Sequence, residues 1–176
     1  MLGADDSAVR TGLARARWPG RLSIVRRDPW MVLDGAHNPD GARALAASLR
    51  ALFGAQPITF VVGVYADKDA RGIFEALGPL ATRMILTRAQ NERAAAPEAL
   101  AALVSAATPT TVTRSVAEAL TLAASMPSTP IVCVAGSLAV VGEALQHLSG
   151  TDKPCPIENG AASMEPFRDK DFRDTS

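Results

Sequence analysis

Two rhythms of apolar and polar residues run along this chain. Short, nearly all-apolar stretches at 58–62, 84–86 and 131–135 alternate with longer ones in which apolar residues recur at steps of three and four. The first rhythm predicts buried strands, the second amphipathic helices. The clearest helix follows the apolar run 30–33 and carries Ala42, Leu45, Ala46, Leu49, Leu52 and Phe53 on one face, with Gly54 as its stop. Further helices are expected at 70–77, 97–105, from Ser115 onward, and at 137–147 with Gly150 as terminator. Ser115 and Glu118 have the spacing of a capping box, and 110–113 supplies one more strand.

Both ends of the chain depart from this alternation. Residues 21–25 and 30–33 flank the polar turn 26–29, the pattern of a short β-hairpin. Upstream, 7–18 is patterned as a helix with Asp6 or Ser7 as cap and Val9 and Leu13 on one face, ending at Pro19-Gly20. A helix ahead of the first strand reads as the remnant of an interdomain linker, 1–20. Beyond residue 150 Pro, Gly, Ser and charge replace the periodicity, so 151–176 is expected to be an irregular tail in which Phe167 and Phe172 could anchor. Residues 21–150 are then a single α/β domain, a Rossmann-like, mostly parallel sheet with helices on both faces and the N-terminal hairpin at its edge.

Composition narrows the function classes. The 176 residues are 48% hydrophobic, enough for a sizeable core, and 18 Lys and Arg balance 18 Asp and Glu. No net field draws the protein to nucleic acid or an anionic membrane. The opening MLGADDSAVR is polar and acidic, unlike a signal peptide, and no apolar run approaches a membrane span, so a cytoplasmic protein is expected. Cys133 lies in an apolar run and Cys155 in the polar tail, which reads as free thiols in a reducing compartment. With no C-x-x-C and with His37 and His147 far apart, no metal site is expected.

In open α/β sheets ligands bind beyond the carboxyl ends of the strands. The segments falling there are 34–38, 63–69 (GVYADKD), 87–93 (TRAQNER) and Gly136-Ser137, which together offer Asp34, His37, Asp67, Lys68, Arg93 and Ser137. Asn38 suits a helix N-cap and Pro39 the first helical position, with Asp40 complementing the dipole; free backbone N–H groups at such a terminus favour anions. Each residue also has a plainer reading. His37 alone is more often a hydrogen-bonded turn histidine than a catalytic one, Asp34 commonly closes a turn, Lys68 makes a solvated surface pair, and Ser137 is first a cap. Neither G-x-G-x-x-G nor G-x-x-x-x-G-K-[ST] occurs, so if this domain handles ATP, another segment must hold most of its phosphates.

Four strings carry a family resemblance: W-P-G-R-L at 18–22, D-G-A-H-N-P at 34–39, G-V-Y-A-D-K-D at 63–69 and A-G-S-L at 135–138. From about Arg10 to Gly150 the chain resembles the C-terminal domain of folylpolyglutamate synthase and dihydrofolate synthase, ATP-dependent ligases of the Mur ligase superfamily. The resemblance implies that ATP phosphorylates a substrate carboxylate and that the amino group of L-glutamate attacks the acyl phosphate to form an amide. Folate or dihydropteroate would be the acceptor. Arg21 and Asp34 would contact ATP, with Arg21 near the phosphates and Asp34 near the ribose. His37 and Ser137 would position glutamate, and His37 and Asp34 would form the catalytic pair. Mg2+ and the phosphate loop belong to an N-terminal ATPase domain in that family, whose full enzyme would be a monomer. Without that loop the chain is not expected to ligate alone, whether as a fragment, a partial gene product or half of a split enzyme. The competing readings are another Mur-type amino-acid ligase domain and a non-catalytic Rossmann-like binding module.

Overall fold

The computed structural model describes residues 20–126, 129–150 and 158–159, with residues 5 and 7 besides. Seven strands form one sheet: β1 (Ser23–Arg27), β2 (Trp30–Leu33), β3 (Ile58–Val62), β4 (Ala81–Leu86), β5 (Thr110–Val112), β6 (Ile131–Ala135) and β7 (Glu158–Asn159), in the order β5-β4-β3-β6-β2-β1-β7. The pairs β2–β6, β6–β3, β3–β4 and β4–β5 are parallel, whereas β1 is antiparallel to β2 and to β7. Helices α1 (Pro39–Phe53), α2 (Ala70–Leu77), α3 (Pro97–Ala101), α4 (Val116–Ser125) and α5 (Leu138–Ser149) connect them. A mostly parallel α/β sheet is therefore what the alternating pattern builds.

Strands β3 and β6 are buried at every position, as their unbroken apolar runs require of a sheet covered on both sides. Successive side chains point to opposite faces. Phe60, Val62, Met84, Ile131 and Cys133 pack with the apolar faces of α1, α2 and α3, while Val61, Ile85, Val132 and Val134 pack with α4 and α5. Strand β6, the last long one in sequence, inserts between β3 and β2. Helices leaving neighbouring strands there go to opposite faces of the sheet. Such a reversal, here at the carboxyl ends of β2, β3 and β6, is where open α/β sheets bind their ligands.

Several local expectations change in detail. The first strand begins at Ser23 rather than 21, because Leu22 adopts φ 44, outside any strand geometry. Helix α3 stops at Ala101 rather than 105, since the chain tightens into bonds from Leu103 N–H to the Leu100 carbonyl and from Val104 N–H to the Ala101 carbonyl. Ser115 caps α4 by accepting the Glu118 N–H, but Glu118 reaches back to the Arg114 N–H, one residue ahead of the position a capping box uses. Strand β7 pairs with β1, so the hairpin is not the outermost edge along its whole length and the tail is not irregular at 158–159. The helix expected at 7–18 beyond Ser7, the linker 1–20 apart from Asp5, Ser7 and Gly20, Cys155 and the rest of the tail lie outside the described residues. Among the described residues no helix is long and apolar enough to cross a membrane.

Candidate functional site

Asp34 follows directly on the end of β2. The residue is 9% exposed and both carboxylate oxygens are engaged, Oδ2 accepting the Leu22 N–H at 2.8 Å and Oδ1 the Ala36 N–H at 2.8 Å. The hairpin explains the first bond. Ser23 pairs with Leu33, so the next residues outward, Leu22 and Asp34, face one another. Backbone contacts reinforce the turn: Gly35 N–H donates to the Gly20 carbonyl at 2.6 Å, and Gly20 N–H to Ser23 Oγ at 3.0 Å. The exposed Leu138 side chain of α5 folds over Gly35, where a Cβ would have to push it aside.

The neighbours of Asp34 carry the polar groups. Arg21, between Gly20 and Leu22, is exposed and makes no ion pair with any described residue. His37 is partly buried, and its Nδ1 lies 2.8 Å from the Gly35 carbonyl. A carbonyl only accepts, so Nδ1 carries the proton in that bond and Nε2 is left for a ligand. Asn38 caps α1 by accepting the Gly41 N–H at 2.7 Å, and Pro39 and Asp40 occupy its first turn as the sequence suggests. After β6, Gly136 has φ 103 and donates its N–H to the Ala36 carbonyl at 2.9 Å. Ser137, 2% exposed, then caps α5 by accepting the Val140 N–H at 3.2 Å. Arg21, Asp34, His37 and Ser137 thus sit on three turns that are hydrogen-bonded to one another.

Asp67, Lys68 and Arg93 gather elsewhere on the same edge. Arg93 donates to Asp67 at 3.1 and 3.3 Å while its guanidinium lies 4.7 Å from the centre of the Tyr65 ring, and Lys68 Nζ is 3.3 Å from Asp67. Hydrogen bonds from Lys68 first and Arg93 second hold the Asp67 carboxyl below its ordinary value. Asp69 caps α2 through the Gly72 N–H. A groove of about 390 Å³ beside this cluster is lined by Tyr65, Lys68, Asp69, Arg71, Ala99 and Leu100, and by neither Asp34 nor His37. The corners meet sterically where Gly72 packs so tightly on Pro39 that a Cβ there would lie 2.6 Å from its ring.

Two features had no signal in the sequence reading. Leu138 is 52% exposed beside Gly35, an apolar side chain at a polar rim. Its apolar character and its place directly after Ser137 were visible, but its exposure was not. The Tyr65–Arg93 stack joins loops 28 positions apart in sequence and needed the β3–β4 pairing to be seen. Cys133 is free and buried; burial, with the Asp34 charge as a lesser cause, pushes its thiol well above its ordinary value of 9.0. Among the described residues no group of three or more His, Cys, Asp or Glu could hold a metal ion.

Comparison with known proteins places the chain in a family. Residues 20–138 match the Mur ligase, glutamate ligase domain. The folylpolyglutamate synthase of Lacticaseibacillus casei is 41% identical over 91 residues, covering 52% of this chain and 21% of that protein. A probable bifunctional folylpolyglutamate synthase/dihydropteroate synthase of Halobacterium salinarum is 38% identical over 145 residues, covering 81% of this chain and 18% of its own length. Among solved structures, a bifunctional folylpolyglutamate synthase/dihydrofolate synthase with Mn, AMPPNP and L-glutamate bound superposes with a TM-score of 0.72 at 29% identity, over 84% of this chain and 36% of that one. The Mycobacterium tuberculosis folylpolyglutamate synthase complexed with ADP gives 0.73 at 31%, over 86% and 36%. The chain therefore spans about a fifth of these two curated relatives and about a third of the solved chains. It belongs to the Mur ligase glutamate-ligase domain family, and the relatives it resembles are folylpolyglutamate and dihydrofolate synthases.

Proposed function

We propose that this domain supplies the glutamate-ligase part of a cytoplasmic, ATP-dependent acid–amino-acid ligase that adds L-glutamate to folate or dihydropteroate. The observation that carries the reading is that the turns bearing Arg21, His37 and the α5 N-terminus are tied together by hydrogen bonds, in a chain of this family. When bound, ATP supplies the phosphoryl group that turns the acceptor's carboxylate into an acyl phosphate. Everything else is positioning and charge stabilisation.

Arg21 is a permanently charged, bidentate donor with no described partner, suited to a phosphate brought in by another domain. Ser137 caps α5, and the first N–H groups of that helix have no intrahelical partner, so they can take the carboxylate of incoming glutamate. His37 presents Nε2, which in the neutral ring accepts a hydrogen bond, and a proton, from the attacking amine. Each Asp34 oxygen keeps a lone pair beyond its backbone bond and can take a ribose hydroxyl. Because no metal-holding group occurs among the described residues, we assign the Mg2+ that accompanies ATP to the ATPase domain and route no step here through it.

The test is reconstitution. This chain, joined to a phosphate-loop ATPase domain from the same family, is assayed for ATP-dependent incorporation of L-glutamate into dihydropteroate and into tetrahydrofolate. Turnover that needs both parts and drops about a hundredfold in Arg21→Ala, the scale seen when one charge-stabilising donor is removed, supports the reading. Turnover by the chain alone, or none with either acceptor, sinks it.

A further inference from the structure

We infer that Asp34 is the positioning residue of this site, acting through Arg21 and His37 rather than on the reacting groups. Its carboxylate accepts one N–H from each of two turns that are distant in sequence: Leu22, which follows Arg21, and Ala36, which precedes His37. One buried anion thereby sets the spacing between a cation and an imidazole. The same network reaches the third polar group, because the Ala36 carbonyl takes the N–H of Gly136, which precedes Ser137.

Backbone conformation supplies an independent argument. Leu22 sits at φ 44, in the left-handed region that a leucine side chain disfavours. Such a residue persists where its surroundings over-determine it. Here those surroundings are the Asp34 oxygen on its own N–H and the Gly20 carbonyl held by Gly35 N–H. An extended Leu22 would continue the strand and carry Arg21 along the hairpin; the clamped one turns the chain at Arg21. In a residue only 9% exposed the carboxylate is also poorly placed to meet a reacting atom directly.

Asparagine is nearly isosteric but offers one acceptor oxygen, and its NH2 would face one of the two N–H donors. In the 176-residue chain we expect Asp34→Asn to speed amide exchange at Leu22 and Ala36 by about tenfold, one bond's worth, while β3 and β6 keep their wild-type rates. Should the variant fail to fold, hydrogen-bond scalar couplings from the wild-type Asp34 carboxyl carbon to the Leu22 and Ala36 nitrogens decide. Both couplings support the clamp and the absence of either overturns it, as does exchange that changes at neither amide.

The functional arm rests on the ligase reading and uses the reconstituted two-domain enzyme. Asp34→Asn should lower kcat at saturating ATP, which a contact to the ribose alone leaves unmoved, about tenfold in the wild-type background and less than about twofold once Arg21 is alanine, because the side chain it places is then gone. The fall in thermal midpoint should be equal in both backgrounds, which a purely structural role would mirror in the kinetics. An equal kinetic loss in both backgrounds overturns the inference in favour of direct contact. If the wild-type enzyme is inert the ligase reading fails by itself, and the exchange and coupling data still decide whether Asp34 clamps the two turns.

Discussion

Two carboxylates on the same edge of this sheet behave in opposite ways. Asp34 is buried and bonded to backbone N–H groups, whereas Asp67 is half-exposed and bonded chiefly to the long side chains of Lys68 and Arg93. The first corner is rigid because its partners are turns tied into the sheet. The second depends on flexible cations in water, where an ion pair gains little over its hydrated partners and loses side-chain entropy. Both corners looked alike as polar residues at strand ends. Only the first can hold its groups at fixed separations, which is what a site working by positioning requires.

The contrast breaks most visibly at Gly136. Its φ of 103 disfavours any side chain, and a Cβ would lie 2.6 Å from the Gly63 carbonyl oxygen, backbone that has nowhere to go. Gly136→Ala should cost about 4 kcal/mol, read as a lower urea midpoint at unchanged slope. Next comes Asp34→Ala, which strands two backbone donors and should cost about 3 kcal/mol by the same measurement. A loss under about 1 kcal/mol would mean that water replaces the carboxylate and that the corner is less closed than its burial indicates. Ser137→Ala removes one helix cap and should cost about 1 kcal/mol.

The smallest effect belongs to Asp67. Its folded-state value is depressed, so whatever stability its pairs contribute is present above the ordinary 3.8 and is lost only as pH falls below it. Asp67→Asn should therefore leave the thermal midpoint almost unchanged near neutral pH, and the small difference from wild type should disappear in 1 M salt and in acid. A salt-resistant drop comparable to that of Asp34→Ala would erase the distinction between the corners.

Much of the scaffold was legible because it depends on local rules. The β3 and β6 runs, the face of α1, the Asn38 and Ser137 caps and the position of α2 follow from periodicity and end chemistry that act within a few residues. The breaks between expectation and structure occur where a distant partner intervenes. Residues 21–25 have strand chemistry, yet Leu22 turns because a carboxylate twelve positions later takes its N–H. Likewise Arg93 has the composition of a loop residue, and its place on Tyr65 follows from β4 lying beside β3.

For the site, the residue types alone carried the strand-end positions of Asp34, His37 and Ser137, and the four motif strings carried the family. Tertiary structure decided which of the candidates meet. Hairpin register sets Leu22 against Asp34, and the insertion of β6 between β3 and β2 brings Gly136 to the Ala36 carbonyl. The reason is physical: propensities and caps are properties of a few consecutive residues, while a hydrogen bond between turns exists only once the sheet has chosen its strand order.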